Sequence, residues 1–355
     1  MSSVKDVAHG SRRNAYTALI LSTLAMIVCF MSWSNFAPLA SQVAEMFDLN
    51  VSQRTLLLAT PVLLGSIMRI PVGILSDRYG GKKVYLILMA FILIPLIMIP
   101  HVHSFGMLLF AALLVGMSGT SFAVGVSYAS VWFPPEQQGL ALGIVSMGNM
   151  GNAVAAMTLP YISKAAGFDS VYYFLIILTV IFGVLFAVFC KEMPVDKSKT
   201  IKGALSVAAD SGTWYLSLFY FLTFGLFVAF TNLTPTFLTG MFHYTPVTAG
   251  LYSALFAFVC TLVRPFGGYL ADRRRPMALL QWVFVAIVIF AIWIMLSFHN
   301  QFMFIAGIVL VGLSAGIGNG VVFKMVPYVS QGNTGAVTGF VGAVGGLGGF
   351  FPPLI

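Results

Sequence analysis

An all-α polytopic membrane protein is the fold class the sequence predicts, and three observations predict it. The first is composition: of 355 residues, 59% are hydrophobic and only 8% are charged, with a mean hydropathy of +0.97. Soluble domains carry about 25% charge, so a water-soluble globular protein is excluded. The second is the recurrence of apolar runs long enough to cross a bilayer, roughly 20 residues each, separated by short loops. The third is the placement of Lys and Arg, which fall almost wholly on one side of the alternating runs, as the positive-inside rule requires. Nucleic acid is a poor explanation for the net charge of +8, because the basic residues are scattered among hydrophobic runs rather than gathered on one face. Cys29, Cys190 and Cys260 each lie inside an apolar run. They provide neither a disulfide framework nor a metal site, and no cofactor or metal is expected.

Turn and charge signals divide the chain into eleven candidate spans. Span 1, near 15–40, is too long for a signal-peptide core and has no small-residue cleavage pattern after it. Spans 2 to 6 follow near 54–76, 84–101, 105–133, 139–164 and 171–191. The charged stretch from Lys191 to Asp210 then reads as a linker. Spans 7 to 11 lie near 213–240, 246–271, 277–298, 302–328 and 334–355. The predicted organisation is an N-terminal six-helix bundle over 1–192, a linker over 193–212 and a second bundle over 213–355 in which five helices are visible. With the N-terminus inside, fourteen of the eighteen Lys and Arg are cytoplasmic, including Lys82, Lys83, Arg273, Arg274, Arg275 and Lys324, while only Arg54 and Lys164 are outside. A multi-pass protein of the cell membrane with a cytoplasmic N-terminus is expected. Five spans leave the second bundle one helix short, and the chain ends on Pro352-Pro353-Leu354-Ile355, so the native protein is expected to continue for about one more span.

The halves repeat each other. Span 2 reads Arg69-Ile-Pro-Val-Gly73-Ile-Leu-Ser-Asp77-Arg78-Tyr-Gly80-Gly81-Lys82-Lys83, and span 8 reads Arg264-Pro-Phe-Gly-Gly268-Tyr-Leu-Ala-Asp272-Arg273. Arginine, glycine at +4, aspartate at +8 and arginine at +9 match at an offset of 195 residues. A second pair, Gly148-Asn149-Met150-Gly151 in span 5 and Gly345-Gly346-Leu347-Gly348-Gly349 in span 11, agrees at nearly that offset. The stretch from Gly73 to Lys83 resembles the loop between spans 2 and 3 of the major facilitator superfamily. That resemblance implies a fold of two pseudo-symmetric six-helix bundles, with the last helix missing from this chain. It also implies gating at the cytoplasmic side through Asp77 and Arg78, and by the repeat through Asp272 and Arg273.

All ten acids and all five histidines fall in loops or at helix ends, so the interior holds two formal charges, Arg69 and Arg264, without an acid to balance them. Each lies eight residues before its loop aspartate, about 12 Å deep at 1.5 Å per residue, against a half-thickness of about 15 Å. Charges at that depth mark functional sites. The plainer alternative is that each arginine snorkels or caps backbone carbonyls. A cationic pocket near the midplane fits a planar oxyanion, because the guanidinium fork gives bidentate hydrogen bonds. The glycines of spans 5 and 11 (Gly143, Gly148, Gly151, Gly339, Gly342, Gly345, Gly346, Gly348 and Gly349) serve either close helix packing or close approach of backbone to a small ligand. Asn149 is a neutral donor, and Tyr220, Phe224 and Phe122 could wall a flat cavity.

These residues, with Gly318-Asn319-Gly320 in span 10 and Tyr220-x-x-x-Phe224-Gly225 in span 7, resemble the nitrate/nitrite porter family of that superfamily. The resemblance implies that Arg69 and Arg264 clamp the anion, that Tyr220 and Asn149 hydrogen-bond it and that Phe122 and Phe224 stack on its faces. The glycine-rich substrate helices would contribute Gly148, Gly151, Gly345, Gly346 and Gly348. Lys324 departs from the pattern, since many members carry glutamine there. The expected activity is transport of nitrate and nitrite by alternating access, with nitrate entering against nitrite. At 6–7 Å and an effective dielectric of about 20, two unscreened guanidiniums repel by about 2–3 kcal/mol, which disfavours reorientation without an anion. Proton-coupled nitrate uptake, a formate- or oxalate-type carboxylate carrier and a transporter-like nitrate sensor are the alternatives; an enzyme is not expected. The protein is expected to work as a monomer.

Overall fold

A computed structural model describes residues 12–194, 205–329 and 333–349. Half of the predicted linker, residues 195–204, and the terminal Pro352-Pro353-Leu354-Ile355 lie outside the described residues. Ten helices are long and apolar enough to cross a membrane, and Thr334–Gly348 is a shorter apolar helix. In order, the spans are Arg12–Trp33, Val51–Tyr79, Gly81–His101, Phe105–Ser130, Pro135–Ala166 and Phe168–Phe189. After the linker come Ser211–Phe242, the pair Pro246–Leu262 and Arg264–Arg273, then Pro276–Leu296, Gln301–Val329 and Thr334–Gly348.

Local chemistry sets the ends. Asn50 accepts from the Gln53 N–H at 2.9 Å while the Gln53 side chain accepts from the Asn50 N–H, a capping box that starts span 2. Asp210 and Thr245 cap spans 7 and 8 through the N–H groups of Gly212 and Thr248. Pro135 opens span 5 four residues before the predicted start, since proline at the first helical position surrenders no hydrogen bond. Span 1 stops at Trp33 rather than near 40. Asn35 is buried there, donating to the Ser32 carbonyl at 2.6 Å and accepting from the Tyr172 hydroxyl at 3.1 Å. Pro38 cannot continue a helix, and the short helix Ala40–Met46 follows.

Spans 4 and 10 bury 67% of their most apolar window, whereas spans 6 and 9 bury 28% and 22%, which places 4 and 10 inside and leaves 6 and 9 to face lipid. Four spans are interrupted at mid-depth. Spans 2 and 8 break at Met68 and Val263, one residue before each arginine. Spans 4 and 5 tighten into 3₁₀ turns at Gly116–Thr120 and Met147–Met150, the irregularity that often marks functional positions. Pro71 and Pro265 lack the N–H that an unbroken helix would direct at the carbonyls four residues earlier.

Candidate functional site

At the end of the molecule carrying Lys82, Lys83 and Arg273 to Arg275, here the basic end, the halves are latched twice by the same device. Asp77 accepts from the N–H groups of Gly335 and Ala336 at 2.9 and 2.8 Å, and from Ser127 Oγ at 2.9 Å. Asp272 accepts from Gly139 and Leu140 at 2.9 and 2.8 Å. Asp77 thus sits at the first turn of a helix from the opposite half, where unpaired N–H groups and the helix dipole favour an anion, and Asp272 meets the second turn of the helix that begins at Pro135. The glycine four residues earlier makes this possible. A Cβ on Gly73 would strike the Gly335 carbonyl, and one on Gly268 would strike the Gly139 carbonyl. Arg78 and Arg273 take no part in these contacts; they lie over the rings of Tyr79 and Tyr269, at 5.4 and 4.3 Å.

Lys324, which the sequence marks only as a departure from the family's glutamine, belongs to the second latch. It is 3% exposed, forms an ion pair with Asp272 at 2.6 Å and donates to the Pro135 carbonyl. In the first latch a side chain that donates to the aspartate is Ser127. Breaking a buried pair by removing one partner costs about 3–5 kcal/mol. Lys324→Met is therefore expected to lower stability by about 3 kcal/mol, seen as an earlier thermal-unfolding midpoint in detergent, with Lys324→Gln losing less.

Further in, Arg69 and Arg264 are both fully buried. Their backbones rest on glycines: a Cβ on Gly339 would lie 3.0 Å from the Arg69 carbonyl carbon, and one on Gly143 would lie 2.9 Å from the Arg264 carbonyl oxygen. Arg69 donates from Nε to the Gly119 carbonyl at 3.1 Å and from Nη1 to the Gly342 carbonyl of span 11 at 2.7 Å. Arg264 reaches Ser146 of span 5 at 3.5 Å, the limit of a hydrogen bond. With the Asn149 amide oxygen turned toward it, Arg264 Nη2 donates to Asn149 at 3.2 Å, and Nη1 does so too. Each arginine therefore bridges to the glycine-rich helix of the other half, at positions 342 and 146, which lie within one residue of the repeat's offset. The carbonyl-capping alternative is partly realised: Gly119 and Ser146 belong to or adjoin the broken stretches of spans 4 and 5, and Gly342 to span 11. Neither guanidinium is saturated: Arg69 Nη2 and Arg264 Nε are buried without a partner, as is the Tyr220 hydroxyl.

The two cations converge on one ring. The guanidinium carbons of Arg69 and Arg264 lie 5.8 and 5.6 Å from the Phe224 centroid. Phe122 and Trp33 also face Arg69, at 5.4 and 6.0 Å, and Phe227 faces Arg264 at 5.4 Å. Cation–π attraction in a desolvated setting contributes about 2 kcal/mol or more and offsets part of the repulsion between the pair. Phe122 and Phe224 do not stand as two bare walls. Tyr220 is stacked on both, 6.1 Å from Phe122 and 4.8 Å from Phe224 with interplanar angles of 15° and 13°. Phe323 presents itself edge-on to Phe122 and Tyr220 at 4.9 and 4.8 Å, on the basic-end side of the arginines.

The glycines divide by role. A Cβ on Gly345 would enter the Tyr220 ring, and one on Gly346 would meet Ser66 Oγ and approach Arg69 Nη1 to 3.8 Å. Gly148 and Gly151 turn away from the arginines: Met26, Ile27 and Phe30 of span 1 occupy the space a side chain would need. Gly348 packs on Phe221 and Gly225. Close packing accounts for these three, since only a bare Cα lets two backbones approach so nearly. Gly342, named among the glycines of span 11 but not among the expected substrate residues, is the one whose carbonyl holds Arg69. Because Tyr220 is held on both faces, Gly345→Ala is expected to cut transport about tenfold by displacing that ring, with normal expression and elution volume.

The sequence matches the family model of the Major Facilitator Superfamily over residues 22–353. The "Nitrite extrusion protein" of Bacillus subtilis is 38% identical over 95% of this chain and 85% of its own length. The "Probable nitrate transporter NarT" of Staphylococcus epidermidis is 35% identical over 97% and 89%. The protein belongs to the nitrate/nitrite porter family of the major facilitator superfamily. It is a membrane transporter rather than an enzyme. Among solved structures, this porter resembles the human organic anion transporter MFSD10 with a TM-score of 0.75 at 15% identity, covering 96% of the porter and 92% of that chain. At that identity the likeness speaks for the fold alone. The porter is thus built as expected from the repeat, with the arginine pair where its two halves meet.

Proposed function

We propose that the protein carries nitrate and nitrite across the cell membrane by alternating access, exchanging external nitrate for internal nitrite, with its basic end in the cytoplasm. The observation that carries this reading is the convergence of two fully buried guanidiniums from opposite halves on Phe224, with no acidic partner for either among the described residues. The relatives' names support a small planar anion. A planar oxyanion matches the unpartnered Arg69 Nη2, Arg264 Nε and Tyr220 hydroxyl, and a fork–anion pair is stronger than a neutral hydrogen bond.

Bundles 1–192 and 213–355 would rock about this point. Each arginine is anchored to the other half, so reorientation has to break the Arg69–Gly342 and Arg264–Ser146 bonds. In a low-dielectric interior that loss is severe unless the guanidinium gains another acceptor, and the bound anion is that acceptor. Such a carrier reorients readily when loaded and slowly when not, which makes it an exchanger. The acids nearest the pathway, Asp77 and Asp272, are engaged in the latches rather than poised near the arginines. This supports exchange over proton coupling, because proton relays use ionisable side chains inside the membrane. The transporter is proposed to act as a monomer, since both arginines and both latches come from one chain.

Proteoliposomes test the reading. Nitrate uptake is expected only with nitrite or nitrate inside, and without acidification of the lumen. Uptake into anion-free vesicles with lumenal acidification would replace exchange by proton symport, and competition by formate or oxalate as strong as by nitrite would shift the substrate class.

A further inference from the structure

Asn319, in the middle of span 10, has no role in the contacts described so far. It is 1% exposed, and both its Oδ1 and its Nδ2 are buried without a hydrogen-bond partner. An unpaired buried amide costs about 1–3 kcal/mol per group, so a residue of this kind inside an apolar helix calls for an explanation. Leucine would fill a similar volume with no such cost.

Its neighbours fix where it stands. A Cβ on Gly320 would meet the Arg264 carbonyl, and one on Gly318 would lie 2.7 Å from a Thr223 methyl on span 7. The helix therefore runs against the backbone of the arginine at this height. Phe323 lies one turn further toward the basic end, and residues four apart share a helix face. Asn319 is thus on the face from which Phe323 meets Phe122 and Tyr220, at the level of Arg264. Three other unpartnered polar groups are gathered around Phe224: Arg69 Nη2, Arg264 Nε and the Tyr220 hydroxyl. All three can donate; Asn319 adds a fourth donor and an amide oxygen.

We propose that Asn319 Nδ2 hydrogen-bonds the anion oxygen left over by the two guanidiniums, and so makes the site prefer a planar oxyanion of three oxygens over one of two. The inference rests on reading the Arg69–Arg264 chamber as the anion site. Two converging forks satisfy two oxygens of a flat ion. Nitrite has no other oxygen, whereas nitrate directs a third one away from both forks, where an uncharged donor is needed. The amide oxygen then faces a donor-rich chamber, with the unpaired Arg264 Nε on the segment that Gly320 touches.

The test measures binding of sodium nitrate and sodium nitrite to the detergent-solubilised full chain by calorimetry, for wild type, Asn319→Leu, Asn319→Ala and Asn319→Ser. The Leu and Ala variants are expected to weaken nitrate binding about tenfold, which is about 1.4 kcal/mol, and to change nitrite binding less than about twofold. Serine keeps a donor and is expected to restore part of the preference. A nitrate-to-nitrite affinity ratio unchanged in both the Leu and Ala variants, or both anions weakened equally, would overturn the role of Asn319 while leaving the anion site standing. Failure of the wild type to bind either anion would instead remove the functional reading itself. Alanine guards against leucine failing to fit, since it removes the amide without adding bulk.

Discussion

Arg69→Lys and Arg264→Lys are each expected to lower nitrate–nitrite exchange at least about 30-fold, although the charge is retained. Lysine is a point charge without the planar fork. It cannot hold the carbonyl of the opposite half and the anion at once, as Arg69 is placed to do with Nη1 on Gly342 and Nη2 unpartnered. One lost charge-assisted hydrogen bond is worth about 1.5–3 kcal/mol, and about 2 kcal/mol corresponds to roughly 30-fold. The loss should appear in affinity and in turnover together, because the same group binds the anion and ties the two halves. Exchange rates in proteoliposomes and nitrate affinity in detergent check this. Wild-type exchange by either lysine variant would mean that charge alone suffices and that the fork does nothing.

The second large effect is expected from Gly73→Val and Gly268→Val. At both positions a side chain would run into backbone carbonyl, Gly335 in one case and Gly139 in the other. Backbone within a packed helix cannot move aside as a flexible side chain can. Asp77 and Asp272 would then be held off the helix turns they bond, and the basic end would stay open. Transport is expected to fall to background while the protein still folds, because the atoms nearest an added Cβ at each glycine all belong to the opposite half. Accessibility distinguishes this from misfolding. Ser217→Cys places a thiol at a position that is 1% exposed on span 7, and it is expected to react with a polar maleimide from the basic side at least about tenfold faster when Gly73→Val or Gly268→Val is present. Equal labelling rates would show that the glycines do not control closure.

Much of the architecture is legible in the primary structure for a physical reason. A helix in lipid satisfies its own backbone, so an apolar run bounded by charge or proline declares a span without reference to the rest of the fold. Spans 2 to 10 follow the described helices to within a few residues; span 1 ends early at Trp33, where a buried Asn35 and Pro38 intervene, and span 11 starts at Thr334 as expected while its expected end lies outside the described residues. Arg69 and Arg264 stand out by the same logic, as charges too deep to be casual. The glycine-rich helices were legible only as a composition. Gly345 and Gly148 look alike in the chain, yet one abuts Tyr220 and the other abuts Met26, because helical spacing tells which residues share a face and not which neighbour that face meets. The role of Lys324 was hidden for a related reason: its distance from Asp272 along the chain conceals an ion pair that only the return of span 10 beside span 8 creates.

What the sequence determined by itself is everything carried within a segment: the spans, the repeat, the motif glycines and aspartates, and the two arginines without an acid. What only the tertiary structure decided is the exchange of partners between halves. Asp77 caps span 11 and Asp272 bonds the second turn of span 5, while Arg69 reaches Gly342 and Arg264 reaches Ser146. Local hydropathy and helix periodicity are properties of neighbours in the chain. The choice of which carbonyl or helix end neutralises a given charge is made by packing, across separations of more than a hundred residues.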